Sequence, residues 1–104
     1  MANEQTNIRD RSKVDLKKPD MYYVIMHNDD FTTMEFVVKV LKVVFFKEST
    51  EAVQLMMTVH KQGCAKIGLY TYDIAQSKSQ RAMKMAREEG YPFKLTIEPD
   101  TLPF

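Results

Sequence analysis

Seven consecutive residues, Met21-Tyr22-Tyr23-Val24-Ile25-Met26-His27, are almost entirely apolar and rich in β-branched and aromatic side chains. That composition favours an extended backbone. The run lacks the strict alternation of a strand with one wet face, so it reads as a strand covered on both faces and hence central. A central strand needs hydrogen-bonding partners along both edges, so the rest of the chain must supply further strands and the layer that covers them. Asn28-Asp29-Asp30 ends the run abruptly, because short polar side chains compete for the backbone's hydrogen bonds.

The segments that follow match this demand. Thr32-Thr33-Met34-Glu35 fits a capping box with Thr32 as N-cap and Glu35 three residues on. Apolar Val37, Val40, Leu41 and Val44 keep helical spacing, which predicts a first helix from Met34 to about Phe46. Lys47-Glu48-Ser49-Thr50 is a connector offering Ser49 or Thr50 as the next N-cap. A second helix is expected from about Glu51 to Lys61, with Ala52, Leu55, Met56 and Val59 on one face and Gly63 as its stop. Ala65, Ile67 and Leu69 alternate with polar or small neighbours as in a strand. Thr71 or Asp73 then opens a more polar third helix through Glu89, ended by Gly90 and Pro92. Phe93, Leu95 and Ile97 form a last half-buried strand. The expected fold is a small α+β sandwich, β-α-α-β-α-β, with a three-stranded antiparallel sheet packed on three helices.

Composition places the domain and its class. The first twenty residues hold only five apolar side chains (Met1, Ala2, Ile8, Val14, Leu16), so residues 1–20 read as a flexible N-terminal arm and residues 21–104 as one domain. The 15 basic and 14 acidic side chains of the 104 residues leave a net charge of +1, which argues against recruitment to nucleic acid or membrane by bulk charge. No apolar run approaches the roughly 20 residues of a membrane span, and the N-terminus shows no secretion signal. The single cysteine, Cys64, excludes an internal disulfide and a multi-thiolate zinc site. A cytoplasmic protein is the expectation.

Few residues could carry chemistry. No phosphate loop, dinucleotide fingerprint, paired-cysteine site or His-Glu-x-x-His helix is present. Asn28, Asp29 and Asp30, taken alone, read as a turn and cap, and His60 as a helix-end histidine near the carbonyl end. Cys64 and His60 are four apart, but Gly63 ends the helix between them, and a thiol entering an apolar strand is ordinarily inert core. His27, His60 and the two aspartates have no diagnostic metal spacing, so no metal and no cofactor are expected. Met34 and Val37 are three apart on the first helix, and Met56 and Val59 three apart on the second. By spacing alone these four are core.

The stretch from Met21 through Asn28-Asp29-Asp30-Phe31-Thr32-Thr33-Met34-Glu35-Phe36-Val37 resembles the opening of the ClpS family, adaptors of the bacterial Clp protease. Gln54-Leu55-Met56-Met57-Thr58-Val59-His60-Lys61-Gln62-Gly63 is similar to that family's second signature, and Ala86 to Phe93 to its helix end and last strand. The likeness spans about residues 20–98. Thr33 departs from the pattern, which usually has proline there. Proline would sit at the first helical position, so threonine is expected to cost rigidity and not the fold.

The resemblance implies a non-enzymatic adaptor. It binds substrates whose first residue is Leu, Phe, Tyr or Trp and hands them to the ClpA unfoldase of the ClpAP protease. It also implies roles: Asn28, Asp29, Asp30 and His60 for the α-amino group, with Asp30 through water; Met34, Val37, Met56, Val59 and Phe93 for the hydrophobic pocket; Thr32 as the cap beside it. Asp73 and Lys78 fall where the family docks on the unfoldase's N-terminal domain, and the arm takes part in delivery. The chain is expected to act as a monomer, with no nucleic-acid or membrane partner. The rival reading is a module that contacts RNA or a ribosomal partner through Lys78, Arg81, Lys84 and Arg87 of the third helix, although no aromatic stacking platform accompanies them.

Overall fold

The computed structural model describes residues 20–100, so the expected arm lies outside the described residues save for Asp20, as do residues 101–104. The element order is β1 (Met21–His27), α1 (Met34–Val43), α2 (Ser49–Gln62), β2 (Cys64–Thr71), α3 (Tyr72–Glu89) and β3 (Lys94–Pro99). The three strands form one antiparallel sheet in the order β2-β1-β3, so the apolar run is the central strand. Val24 and Met26 point from β1 into the common core, each fully buried. Helix α3 spans all three strands and presents Ala75, Ser79, Ala82 and Ala86 to the interior. Small side chains at that spacing let helix and sheet approach closely. On the other face of β1 Ile25 is buried but Tyr23 and His27 are only partly so, and the expected cover on both faces is incomplete. The Lys66 ammonium lies 4.2 Å from the Tyr23 ring centroid, and His27 Nε2 and Thr96 Oγ1 share a hydrogen bond of 2.8 Å.

Several local expectations require correction. Thr33, not Thr32, is the N-cap of α1: its hydroxyl accepts from the Phe36 N–H at 3.1 Å. Both threonines are competent caps. Thr32 is engaged instead by Asp29, and Glu35 moves to the second helical position, where it still complements the helix dipole. Thr33 therefore supplies a cap bond that proline could not. Helix α1 ends at Val43 and not near Phe46, which adopts a left-handed φ of 56°. That conformation costs a bulky residue about 1–2 kcal/mol. The Lys78 ammonium holds the turn, donating to the Val44 carbonyl at 2.8 Å and lying 4.3 Å from the Phe46 ring centroid. Helix α2 begins at Ser49 with Glu48 as N-cap and no side-chain cap bond, so neither Ser49 nor Thr50 caps it.

A bulge explains a fourth difference. The β1–β2 register shifts between Val24 and Ile25, whose partners are Gly68 and Lys66, leaving Ile67 as the extra residue. Beyond it the inward phase reverses: Leu69 is exposed and Tyr70 packs on the core. A Cβ at Gly68 would lie 2.8 Å from the Tyr70 ring, so glycine leaves the space the ring occupies. Cys64 is exposed, not buried, because it opens an edge strand.

Candidate functional site

The loop between β1 and α1 is folded by one side chain. The Asp29 Oδ1 accepts from the backbone N–H groups of Phe31 (2.8 Å) and Thr32 (2.7 Å), and Oδ2 accepts from the Thr32 hydroxyl (2.7 Å). Burial raises the Asp29 pKa, but these bonds outweigh it and hold the carboxyl below its ordinary value. Asp29 is therefore committed to its own loop, while Asn28 and Asp30 on either side are exposed.

Helix α2 brings the other half. Gly63 caps it at φ 92°, a left-handed turn that suits glycine, and donates to Val59 at 2.9 Å. The Gly63 carbonyl then accepts from the Asn28 N–H at 2.9 Å, directly beyond the His27–Cys64 pair of the sheet. This bond joins the end of β1 to the last turn of α2, which carries His60. Asn28, Asp30 and His60 accordingly line one hollow of about 500 Å³.

The apolar wall of that hollow comes from both helices. Val37, Met56 and Val59 are buried and Met34 is 43% exposed at its opening. Expected core and expected pocket coincide at Val37, Met56 and Val59, whereas Met34 is not core. Thr32 lines the hollow too, and Phe31, Thr33 and Glu35 join it although the sequence reading did not assign them to the site. The signal for Phe31 was present: an aromatic residue in a polar turn. Phe93, also expected at the pocket, is buried in the core, edge-on to Phe36 with centroids 5.8 Å apart.

The chemistry of this arrangement is acceptor-rich at the rim and apolar inside. A carboxylate, an amide oxygen and a neutral imidazole can each accept from an ammonium group. Among the described residues no cluster of His, Cys, Asp and Glu could hold a metal ion, and no helix is long and apolar enough to cross a membrane. Asp73 is exposed in the first turn of α3. Lys78 is half-buried and tied to the end of α1, and burial, then repulsion from Arg81, lowers its pKa. That engagement takes one of the four cations from the face on which an RNA-binding reading relied.

Comparison with known proteins settles the family. The model for "ATP-dependent Clp protease adaptor protein ClpS" matches residues 17–96. The chain belongs to the ClpS family. It is 46% identical over 98 residues to the ClpS adapter of Acetivibrio thermocellus, covering 94% of this chain and 99% of that one. The ClpS adapter of Myxococcus xanthus is 50% identical over 88 residues, 85% of this chain and 82% of the relative. In three dimensions the chain is similar to Agrobacterium tumefaciens ClpS2 bound to L-phenylalaninamide. The TM-score is 0.78 at 38% identity, covering 80% of this chain and all of that one. The ClpS resemblance read from the two motifs is thus shown, as is the α+β fold with three helices on a three-stranded antiparallel sheet.

Proposed function

We propose that this ClpS-family chain captures substrates by a bulky hydrophobic first residue, Leu, Phe, Tyr or Trp, and delivers them to a ClpA-type unfoldase for degradation by ClpAP. The observation that carries this reading is the single hollow in which Asn28, Asp30 and His60 meet Met34, Val37, Met56 and Val59. A free N-terminal residue is the one part of a protein chain that combines an ammonium group with a side chain on the adjacent atom. A polar rim over an apolar pocket fits that pair. Supporting it, the Agrobacterium relative is described as bound to L-phenylalaninamide, which has a free amine and a phenyl side chain.

Asn28 and His60 accept directly from the ammonium, and Asp30 contributes its charge and a water-mediated contact. Asp29 acts through the loop it folds. Docking on the unfoldase's N-terminal domain uses the exposed Asp73 and the turn that Lys78 holds. The segment 1–20 assists hand-over, since a tether on a docked domain raises the effective concentration at the unfoldase entrance. The adaptor works as a cytoplasmic monomer and is not itself an enzyme. Reconstitution tests this. A reporter beginning with Leu or Phe, mixed with ClpA-type unfoldase and its protease, is degraded faster when the protein is added. An identical rate with and without it would contradict delivery.

A further inference from the structure

Phe31 has a second surface that the first-residue pocket does not use. The ring is 73% exposed, although the backbone beneath it is pinned by its own N–H to Asp29. Phe31 lines the hollow on one side and, on the other, a shallow groove formed with Tyr91, Pro92, Gly90 and Arg87. The groove is mostly apolar, with one cation at its edge. Its floor is fixed: Tyr91 packs edge-on against the buried Phe36, with centroids 5.1 Å apart, and its hydroxyl lies 3.5 Å from Thr33 Oγ1 at the start of α1. The hollow and the groove are therefore two sides of one aromatic partition.

An extended chain rises about 3.3 Å per residue and turns successive side chains to opposite faces. Residues one and three consequently face the same surface roughly 6.6 Å apart, whereas residue two points away. With its first side chain in the hollow, a substrate crossing the Phe31 ring brings its third side chain to the groove. We propose that the groove of Phe31, Tyr91, Pro92 and Arg87 is a subsite for the third residue of the bound chain, taking an aromatic or large apolar side chain. This rests on the reading of the hollow as the first-residue site. The Phe31 and Tyr91 rings offer edge and face contacts, and the Arg87 guanidinium stacks on an aromatic guest.

The test compares L-phenylalaninamide with the tripeptide amides Phe-Gly-Gly, Phe-Phe-Gly and Phe-Gly-Phe by calorimetric titration of the full chain. Phe-Gly-Phe binds roughly fivefold or more tightly than Phe-Gly-Gly, consistent with partial burial of one ring, and Phe-Phe-Gly stays within about twofold of it. Arg87→Ala and Tyr91→Ala each shrink the third-residue advantage while leaving L-phenylalaninamide affinity unchanged. Arg87 is exposed, so that variant keeps the test decisive even where loss of Tyr91 disturbs folding. Equal affinity of Phe-Gly-Phe and Phe-Gly-Gly, with L-phenylalaninamide still bound, overturns the subsite alone. An advantage that survives Arg87→Ala and Tyr91→Ala overturns its location. Failure of L-phenylalaninamide to bind overturns the first-residue reading and the subsite with it.

Discussion

Replacing Asp29 by alanine removes the acceptor of three hydrogen bonds at once, two from backbone amides and one from a hydroxyl, all 2.7–2.8 Å long. Bonds to a charged acceptor are worth about 1.5–3 kcal/mol each when buried. Asp29 is half-buried and Phe31 is exposed, so water recovers part of each. Taking about 1 kcal/mol per bond, near the net value of an ordinary hydrogen bond, Asp29→Ala costs about 2–3 kcal/mol. For a domain of this size that lowers Tm by roughly 10–20 °C in a thermal melt. Asp29→Asn keeps an oxygen for the two amides and costs less. The pH dependence has a definite sign. Because the folded carboxyl titrates below its usual 3.8, its stabilisation is present above that value and is lost as pH falls through the folded value. The stability gap between parent and Asp29→Asn therefore holds at pH values above 3.8 and narrows as the pH falls below it. Asp30→Ala, one residue on and exposed, leaves Tm unchanged and weakens peptide binding instead. Equal Tm for the parent and Asp29→Ala, or equal losses for the two aspartates, would refute the division of labour between them.

Trimming Met34 at the opening of the hollow to alanine admits peptides starting with Ile or Val, whose branch lies close to the backbone, more than it changes Leu binding; a wild-type order and ratio in the titration would make Met34 mere wall. Ser79 Oγ is buried, with no hydrogen-bond partner among the described residues. Ser79→Ala deletes that orphan and raises stability by about 1 kcal/mol in urea titration, and a loss would show that the hydroxyl is satisfied. His60→Ala and Asn28→Ala each weaken binding of a Phe-start peptide roughly tenfold or more, with an unchanged circular dichroism spectrum.

Periodicity and stop signals carried most of the architecture, and the misses have local physical causes. Gly63 and the apolar β1 run were legible because each excludes other conformations. Thr32 and Thr33 were indistinguishable as caps until Asp29 claimed one of them. The end of α1 depends on Phe46 adopting φ 56° beneath an ammonium 34 positions downstream of Val44, which no local pattern announces. The bulge at Ile67 reversed the facing of Leu69 and Tyr70, a consequence of pairing with β1 and not of the strand's own alternation. At the site, the i,i+3 pairs of α1 and α2 were visible, but nothing in spacing joins them to Asn28. The Asn28–Gly63 bond does that; resemblance to a family grouped Asn28 with His60 but did not name the bond.

The central claim is that the hollow captures a first residue by its free amine as well as its side chain. Fluorescence polarisation of a Phe-start peptide against its N-acetylated twin isolates the amine, because acetylation removes the charge and two of the three N–H donors while leaving the phenyl ring intact. Loss of two charge-assisted bonds, each worth about 1.5–3 kcal/mol, weakens the acetylated peptide by a hundredfold or more. Equal affinity for the two peptides would contradict the account.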